Sequence, residues 1–460
     1  MSLRGKAVKE ARAADTHEIL LGATRCAVGG VPGRAWRRER NAIWVPDSRA
    51  AFVITCPVAA GLVVLCMADA IGAAQQWPQF LGPLRDGTYS GPPLAAGWPG
   101  GGPPRLWARP VGAGFAGPAV VGDRVILFHR VGGQEVVEAL AAGTGETLWR
   151  YEYATSYRDD FGFDEGPRSV PAVADGRVFT FGAQGQLHAI NLENGSGIWN
   201  HDTHDLYQVR KGFFGAAGTP LVEDGRVIAN VGGRRGGIVA FDAATGVELW
   251  TATTDEASYS SPVGATFDGR RHALVFTRTG LVGLDAASGE VRFQKRWRSR
   301  LGASVNAATP LVVGDFVFIS SSYGTGAALL RVDGRRLVEE WTGDDSMTNH
   351  YSTAVLHAGV LYGYHGRQEY SPSLRAVDLE TGAVRWSEDR FGAGTITLAG
   401  DRLVILRETG ELMLAEASTE GFVPLAQADI LPGTVRAYPA LAEGRLYARN
   451  TDTLVAVDLR

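Results

Sequence analysis

Two patterns of apolar and polar residues alternate along the chain from residue 104 onward. The first is a small residue, proline and a short aliphatic run, then an Asp/Gly turn, as in Val170-Pro171-Ala172-Val173 with Asp175-Gly176. The second is a strand, an acidic turn with Thr-Gly or Ser-Gly, and a strand that ends in tryptophan, as in Ala240 to Trp250. The first pattern recurs eight times, twice without its proline, at positions 118, 171, 220, 262, 310, 354, 396 and 439. Repeats of this length predict a propeller or a solenoid.

Each repeat predicts four short strands, and the second repeat shows them most clearly. Residues 171–173 form an inner strand that begins with proline, where no donor is needed. Asp175-Gly176 predicts a type I′ hairpin turn into a strand over residues 177–181. Residues 187–190 alternate as a half-buried third strand, and Ile198-Trp199 closes the outer strand.

A large aromatic residue recurs in the outer strand of the repeats. A twisted four-stranded sheet needs a large flat side chain to pack against the neighbouring sheet of a radial array. The residues predicted to dock one blade on the next are Trp107, Trp149, Trp199, Trp250, Phe293, Trp341 and Trp386.

The last repeat lacks its outer strand. It opens with Tyr438-Pro439 and supplies strands around residues 445–447 and 454–458, but no tryptophan strand follows. The missing piece, Arg105-Leu106-Trp107, precedes the first repeat instead. An open solenoid would carry polar caps, so we expect a closed ring. Residues 104–460 therefore predict an all-β fold, an eight-bladed β-propeller of four-stranded antiparallel blades closed by its N- and C-terminal strands.

Composition agrees with many short strands and tight turns. The 460 residues include 60 glycines and 21 prolines, 45% are hydrophobic and 20% are charged. This excludes a disordered chain and a long helical bundle. The net charge of −4 excludes a general basic surface for nucleic acid.

An apolar run precedes the repeats. Residues 50–67 carry no charge, and small residues follow up to Ala74. Residues 45–74 therefore predict a secretory signal peptide, with an uncleaved membrane anchor as the alternative. We expect an exported protein of the periplasm or cell envelope, in contact with a membrane only through an uncleaved signal segment.

Two further segments flank this predicted signal. Residues 1–44 predict a non-globular extension, which a start of translation near Val45 would remove from the protein. Residues 75–103 form a Pro/Gly-rich segment that leads into the propeller.

The repeat resembles that of a known family. The pattern Ala-x-Asp-x-x-Thr-Gly-x-x-x-Trp is similar to the tryptophan-docking repeat of the quinoprotein, or pyrroloquinoline-quinone (PQQ) repeat, propellers. The segment from Trp77 to Gly87 is similar to the opening of a group of exported members. Two branches share this fold: the quinone-dependent alcohol and glucose dehydrogenases, and the scaffold lipoprotein of the outer-membrane barrel-assembly machinery. Fold alone does not choose between them.

The resemblance implies specific chemistry for the dehydrogenase branch: a bound quinone, a calcium ion held by Glu and Asn, a catalytic Asp and, in many alcohol enzymes, a disulfide. The three cysteines, Cys26, Cys56 and Cys66, all precede the repeats. The segments just before the inner strands contain no acidic residue, although calcium prefers six or more oxygen ligands.

Those segments instead offer groups suited to an anion or a sugar-like polar ligand. The candidate ligand-binding residues are Arg168, Tyr259, Asn306, Asn349, His350, Tyr351 and Arg436. The alternative, which the residues favour, is that these groups only hydrogen-bond loops around a water-filled channel.

Two acidic clusters are weaker candidates for metal binding. His201 to Asp205 contains ligand types that zinc uses, and Asp159-Asp160 with Asp164-Glu165 offers carboxylates for calcium. Neither has the spacing of a known site, so we expect solvated loops, with no metal and no catalytic residue.

The favoured function is therefore a non-catalytic binding or scaffold module, monomeric and without a cofactor. Its partner would be a protein, peptide or polysaccharide on one ring face, and not nucleic acid. The alternative is a periplasmic PQQ-dependent oxidoreductase of the alcohol or sugar dehydrogenase type, with pyrroloquinoline quinone and calcium as cofactors.

Overall fold

Short strands make up almost all the regular structure of residues 76–460, the part of the chain that the computed structural model describes. The predicted extension over residues 1–44 and the predicted signal or anchor over residues 45–74 lie outside the described residues. Within residues 76–460, no helix is both long and apolar enough to cross a bilayer.

The strands follow one another in groups of four. Two precede the first repeat: β1 (Thr88–Tyr89) and β2 (Arg105–Pro110). Blades 1 to 4 contain β3 (Ala119–Val121), β4 (Arg124–Val131), β5 (Gln134–Ala141), β6 (Thr147–Ala154), β7 (Ala172–Ala174), β8 (Arg177–Phe181), β9 (Gln186–Asn191), β10 (Gly197–Asp202), β11 (Leu221–Glu223), β12 (Arg226–Gly233), β13 (Gly236–Asp242), β14 (Glu248–Ala252), β15 (Val263–Phe267), β16 (Arg270–Phe276), β17 (Gly280–Asp285) and β18 (Val291–Arg296).

Blades 5 to 8 repeat the arrangement. They contain β19 (Leu311–Val313), β20 (Phe316–Ser321), β21 (Gly326–Asp333), β22 (Arg336–Gly343), β23 (Val355–His357), β24 (Val360–His365), β25 (Ser373–Asp378), β26 (Val384–Glu388), β27 (Gly394–Ala399), β28 (Arg402–Arg407), β29 (Glu411–Glu416), β30 (Pro424–Asp429), β31 (Ala440–Ala442), β32 (Arg445–Arg449) and β33 (Thr453–Asp458). The helical elements among the described residues are α1 (Thr203–Tyr207) and a 3₁₀ turn (Gln368–Tyr370).

The predicted eight-bladed propeller is confirmed. Each blade is an antiparallel sheet whose strands run in chain order from the inside outward. The last blade takes β2 as its outer strand, with Trp107 opposite Ala456, so the ring closes as predicted. Blade 7 differs from the prediction because β1 adds a fifth strand, parallel to the inner strand β27.

Local sequence explains the second blade almost residue by residue. The φ angles of Asp175 and Gly176 are +49° and +70°, as a type I′ turn requires. The strand that follows, β8, has the predicted bounds. The tryptophan does not end the outer strand as expected: Trp199 is the third residue of β10, just after a register shift that follows Gly197.

The recurring tryptophans join one blade to the next. Trp149 Nε1 donates a hydrogen bond to the carbonyl of Leu192 in blade 2 at 2.8 Å. The indole of Trp199 lies against Gly246 of blade 3, where an added Cβ would come within 2.7 Å of the ring. Because Gly246 also has a φ of +75°, the Thr-Gly turn requires glycine for two reasons. In blade 4, Phe293 replaces tryptophan and offers no donor.

The antiparallel order gives the ring two distinct faces. Turns between first and second strands and between third and fourth strands lie on one side, here called the turn face. Loops that connect successive blades, and turns between second and third strands, lie on the other side, here called the loop face.

Residues 77–89, here called the axial segment, cross the ring from the turn face. Trp77 exchanges two backbone hydrogen bonds with Val120 of blade 1, at 2.9 and 2.8 Å. At the other end, the hydroxyl of Tyr89 accepts a hydrogen bond from Gly444 of blade 8 at 2.7 Å. Thr88 and Tyr89 also pair with the inner strand β27, so this end of the segment lies at blades 7 and 8.

Arg85 anchors the middle of the axial segment. Its buried guanidinium donates to the carbonyls of Thr219 and Pro262, at 3.1 and 2.8 Å, and to the carbonyl of Pro220. Burial lowers the pKa of Arg85 to about 9. One side chain thus ties the axial segment to blades 3 and 4.

Candidate functional site

An axial cavity of about 610 Å³ opens on the loop face. Loops between blades provide most of its wall, and the axial segment provides part of its floor through Phe80. The rings of Phe80 and Tyr438 meet edge to face, 4.8 Å between centroids. Since the axial segment occupies the turn-face end of the axis, the cavity is closed toward the turn face and open toward the loop face.

Apolar side chains surround the opening. Phe161, Phe163 and Leu301 are 54%, 50% and 57% exposed, and with Phe213 and Phe214 they form what we call the apolar collar. The rings pack on one another, with 5.3 Å between the centroids of Phe161 and Phe214. Soluble proteins expose clustered aromatic residues mainly where they bind something.

Asp159 holds the loop that presents two of these phenylalanines. Its carboxylate is fully buried and accepts hydrogen bonds from the amides of Phe161 and Asp164, at 2.8 and 3.1 Å. It also pairs with Arg168 at 2.8 Å. The expectation of a solvated acidic loop is therefore wrong at Asp159, because a cation from the next inner-strand segment neutralises it.

Arg168 lines the cavity but its polar atoms are engaged. Besides Asp159, its guanidinium donates to the carbonyls of Asp164 and Gly166. Its charged carbon lies 5.7 Å from the ring centroids of Phe115 and Phe214. Such stacking suits Arg168 to hold the wall together.

Arg436 lines the cavity beside Phe115, and part of its guanidinium is unused. Its Nε donates to Glu408 Oε1 at 2.9 Å, and the Tyr351 hydroxyl donates to the same oxygen at 2.8 Å. The two terminal nitrogens of Arg436 have no protein partner among residues 76–460. Burial, followed by the negative charge of Glu408, raises the pKa of Tyr351 well above its ordinary value.

His350 and Tyr259 complete the set of predicted residues at the cavity. His350 Nε2 lies 2.7 Å from the hydroxyl of Tyr323, whereas its buried Nδ1 has no partner in the described residues. Burial lowers the pKa of His350 to about 4, so the ring is neutral at neutral pH. The Tyr259 hydroxyl accepts a hydrogen bond from the amide of Phe214 at 3.0 Å.

Two predicted residues lie away from the cavity wall. Asn306 donates to the carbonyls of Thr277 and Trp297, both at 2.9 Å. Asn349 donates to the carbonyl of Tyr364 at 3.0 Å. Both amides brace loops, as the alternative interpretation expected. The structure thus groups Arg168, Tyr259, His350, Tyr351 and Arg436, whose ligand-binding role stays a prediction.

Sequence reasoning missed the apolar collar and the floor. The adjacent pair Phe213-Phe214 in a glycine-bounded loop was a usable signal, because such a pair has no place in a strand pattern. Phe80 had no comparable signal, since no repeat period places it on the axis.

The cavity does not fit a calcium site. Among the described residues one acidic side chain, Glu369, lines it, and Arg367 pairs with that carboxylate at 2.8 Å. Glu408 behind the wall serves Arg436 and Tyr351. Over residues 76–460 no group of three or more His, Cys, Asp or Glu side chains is placed to hold a metal ion. The carboxylate oxygens that a calcium ion would need are therefore paired with other side chains or missing from residues 76–460.

The second metal candidate is a helix start rather than a loop. Asp202 ends β10, and its carboxylate accepts a hydrogen bond from the amide of Asp205 as the N-cap of α1. His201 Nε2 lies 2.7 Å from the carbonyl of Gly246.

Comparison with known proteins places this geometry in a family. A model of PQQ-repeat proteins described as outer membrane protein assembly factor BamB matches residues 133–388 and 371–460. The chain belongs to this family. The predicted resemblance to a PQQ-repeat propeller of the barrel-assembly type is confirmed.

Relatives carry both of the names that the resemblance implied. The BamB of Xanthomonas campestris is 29% identical over 256 residues, which cover 54% of this chain and 61% of that protein. The quinohemoprotein alcohol dehydrogenase ADH-IIG of Pseudomonas putida is 31% identical over 128 residues, which cover 27% of this chain and 17% of the enzyme. The chain thus spans less than two thirds of either relative.

A solved structure supports the fold. The crystal structure of BamB from Moraxella catarrhalis superposes with a TM-score of 0.57 at 16% identity, covering 78% of this chain and 98% of that one.

Proposed function

We propose that this chain is a non-catalytic binding scaffold of the cell envelope that holds a partner protein on its loop face. One observation carries the proposal: the loop face of a BamB-family propeller presents an apolar collar around a blind cavity, and the carboxylates near that cavity are paired. Such a surface offers contact area instead of a catalytic acid, base or metal.

The relatives support the proposed kind of partner and the proposed location. The Xanthomonas protein is named an outer membrane protein assembly factor. We extend to this chain a place in the cell envelope and a role in protein assembly there. The predicted signal over residues 45–74 agrees with export.

The alternative is a PQQ-dependent oxidoreductase. Its support is the dehydrogenase relative, but that similarity covers 17% of the enzyme. The committed carboxylates at the cavity weigh against the calcium such an enzyme would use. We therefore treat quinone binding as the outcome that would overturn the scaffold.

The first experiment separates these two functions. Purified full-length protein is titrated with pyrroloquinoline quinone and calcium, and visible absorbance and dye reduction with alcohols and sugars are recorded. A scaffold gives no saturable spectral change and no turnover. Saturable binding with substrate-dependent dye reduction would show an oxidoreductase.

The second experiment tests the loop face. A photo-crosslinking amino acid replaces Leu301 in the collar or, as a matched control, Arg336, whose exposed side chain lies at the start of β22 on the turn face. In the native host, position 301 should give discrete protein adducts in the envelope fraction, and position 336 should not. Equal patterns at both positions, or none at 301, would contradict the proposal.

A further inference from the structure

The shape of the axial cavity limits what can occupy it. The axial segment fills the turn-face end, with Phe80 in the floor and Arg85 tied to blades 3 and 4. A polymer cannot pass through the ring, so an occupant enters and leaves through the opening on the loop face. The cavity therefore suits a side chain or a short segment that inserts end-on.

The wall chemistry disfavours a sugar. The Tyr351 hydroxyl donates to Glu408, the Tyr259 hydroxyl accepts from the amide of Phe214, and Arg168 binds Asp159 and two carbonyls. Sugar hydroxyls need many converging hydrogen-bond partners, and the apolar side chains that form most of this wall do not provide them. Aromatic rings dominate the remaining surface, so an aromatic group of the occupant would pack well there.

Arg436 adds a requirement for a negatively charged group on the occupant. Its guanidinium lies 5.6 Å from the ring centroid of Phe115 and 5.3 Å from that of Phe163, with both terminal nitrogens free of protein partners among residues 76–460. In such apolar surroundings a guanidinium prefers a carboxylate, which accepts two parallel hydrogen bonds.

The collar indicates that the ligand is part of a protein. Phe161, Phe163 and Leu301 line the opening of the cavity, and each keeps half or more of its side chain exposed to solvent. A partner protein covers this rim and the cavity together, which is how interface hot spots are built.

We propose that the axial cavity binds an aromatic side chain of a partner protein, with an adjacent acidic residue of the same segment held by Arg436. This inference rests on the proposed function and names the chemistry of the partner segment. The occupant is thus a surface loop or extended segment that carries an aromatic and an acidic residue side by side.

Fluorescence anisotropy with the full-length protein tests the proposal. The probe is a fluorescein-labelled, C-terminally amidated peptide, Gly-Gly-Phe-Glu-Gly-Gly. Matched peptides carry Gln in place of Glu, or Ala in place of Phe. We expect saturable binding of the parent peptide, binding weaker by about tenfold with Gln because a charge-assisted pair is lost, and a larger loss with Ala.

Two protein variants locate the contacts. Arg436→Gln should bind the Glu and Gln peptides equally, whereas the control Arg336→Gln should keep the preference for Glu. Phe163→Ala should weaken all Phe-containing peptides and leave the preference for Glu in place. This second variant keeps the test decisive if Arg436→Gln fails to fold, which thermal melts will reveal.

Three outcomes would overturn the inference. These are no saturable binding of the parent peptide, equal affinity of the wild-type protein for the Glu and Gln peptides, and displacement of the probe by maltoheptaose. If crosslinks at residue 301 persist in those cases, the scaffold function stands and only the assigned chemistry falls. If those crosslinks are also missing, the proposed function falls with it.

Discussion

The two faces of this ring are built in opposite ways. On the turn face, glycines lie against indole rings, and on the axis the buried guanidinium of Arg85 donates to carbonyls of blades 3 and 4. On the loop face, phenylalanines are half exposed and Arg436 keeps two nitrogens unused. The contrast shows that side chains are tightly packed in one part of the ring, whereas the loop face leaves apolar and charged groups available for contact.

The largest effect is expected at Arg85, on the buried axis of the ring. Arg85→Met removes the donor shared by the carbonyls of Thr219, Pro220 and Pro262 while keeping the apolar stem. Buried acceptors without partners should lower the free energy of unfolding by about 3 kcal/mol. Urea denaturation measures this loss, with Arg336→Gln as a control within about 0.5 kcal/mol of the wild type. Equal midpoints for wild type and Arg85→Met would show that the axial segment does not hold the ring.

Low pH should lower the free energy of unfolding through two histidines that lie in the sheets near the loop face. Burial lowers the pKa of His129 to about 3 and that of His188 to about 4, while both titrate near 6.5 in the unfolded chain. Only the unfolded state then takes up these protons, so stability is lost as pH falls below 6.5. Between pH 7 and 5 the loss is about 2 kcal/mol for each histidine.

A variant isolates one of these two histidines. His129 Nδ1 accepts a hydrogen bond from the amide of Gly112 at 2.7 Å, and the side-chain oxygen in His129→Asn can take that role. Differential scanning calorimetry from pH 5 to 7 should give a shallower pH dependence for this variant. An unchanged slope would mean that His129 is accessible to protons in the folded ring.

A pair of glycines separates backbone strain from packing on the turn face. Gly225 and Gly246 have φ angles of +70° and +75°, but only the second lies against an indole, that of Trp199. Gly225→Ala should cost about 1 kcal/mol from the left-handed backbone alone. Gly246→Ala should cost about 1–2 kcal/mol more, because the ring must move. Thermal melts that fail to rank the two variants in this order would argue against blade docking through this turn.

The smallest effect on stability is expected at the collar. Phe161→Ala and Leu301→Ala remove exposed side chains, so each should change the free energy of unfolding by no more than about 0.5 kcal/mol. Partner capture by a crosslinker placed elsewhere in the collar should nevertheless fall. Large destabilisation would mean that the collar is part of the fold rather than a contact surface.

The fold could be predicted because each repeat contains the residues that specify its own strands and turns. Asp175-Gly176 specifies its turn because both residues adopt a positive φ. The position of Arg105 to Trp107 ahead of the first repeat predicted the closure of the ring. Strand β1 was not foreseen, since two residues, Thr88 and Tyr89, leave no pattern and pair only because the axial segment delivers them.

The site was readable only in part, for the same physical reason. Residues next to the inner strands, such as Arg436 and His350, have positions that the repeat defines. Loop residues such as Phe161 have none, because the ion pair of Asp159 and Arg168 decides where that loop goes. Asn306 shows the converse: it lies just before an inner strand, as the repeat predicts, but two local carbonyls bind its amide away from the cavity wall.

The hydrogen bond between the Tyr89 hydroxyl and the amide of Gly444, 355 positions away along the chain, also bears on how the ring folds. Strands β1 and β2 precede every blade in the sequence, yet their partners β27 and β33 lie in blades 7 and 8. Contacts this remote in sequence slow folding, because a long loop must close before they stabilise anything. Until the last blade forms, the edge of β2 stays unpaired, so partly folded chains expose a strand edge that is prone to aggregation.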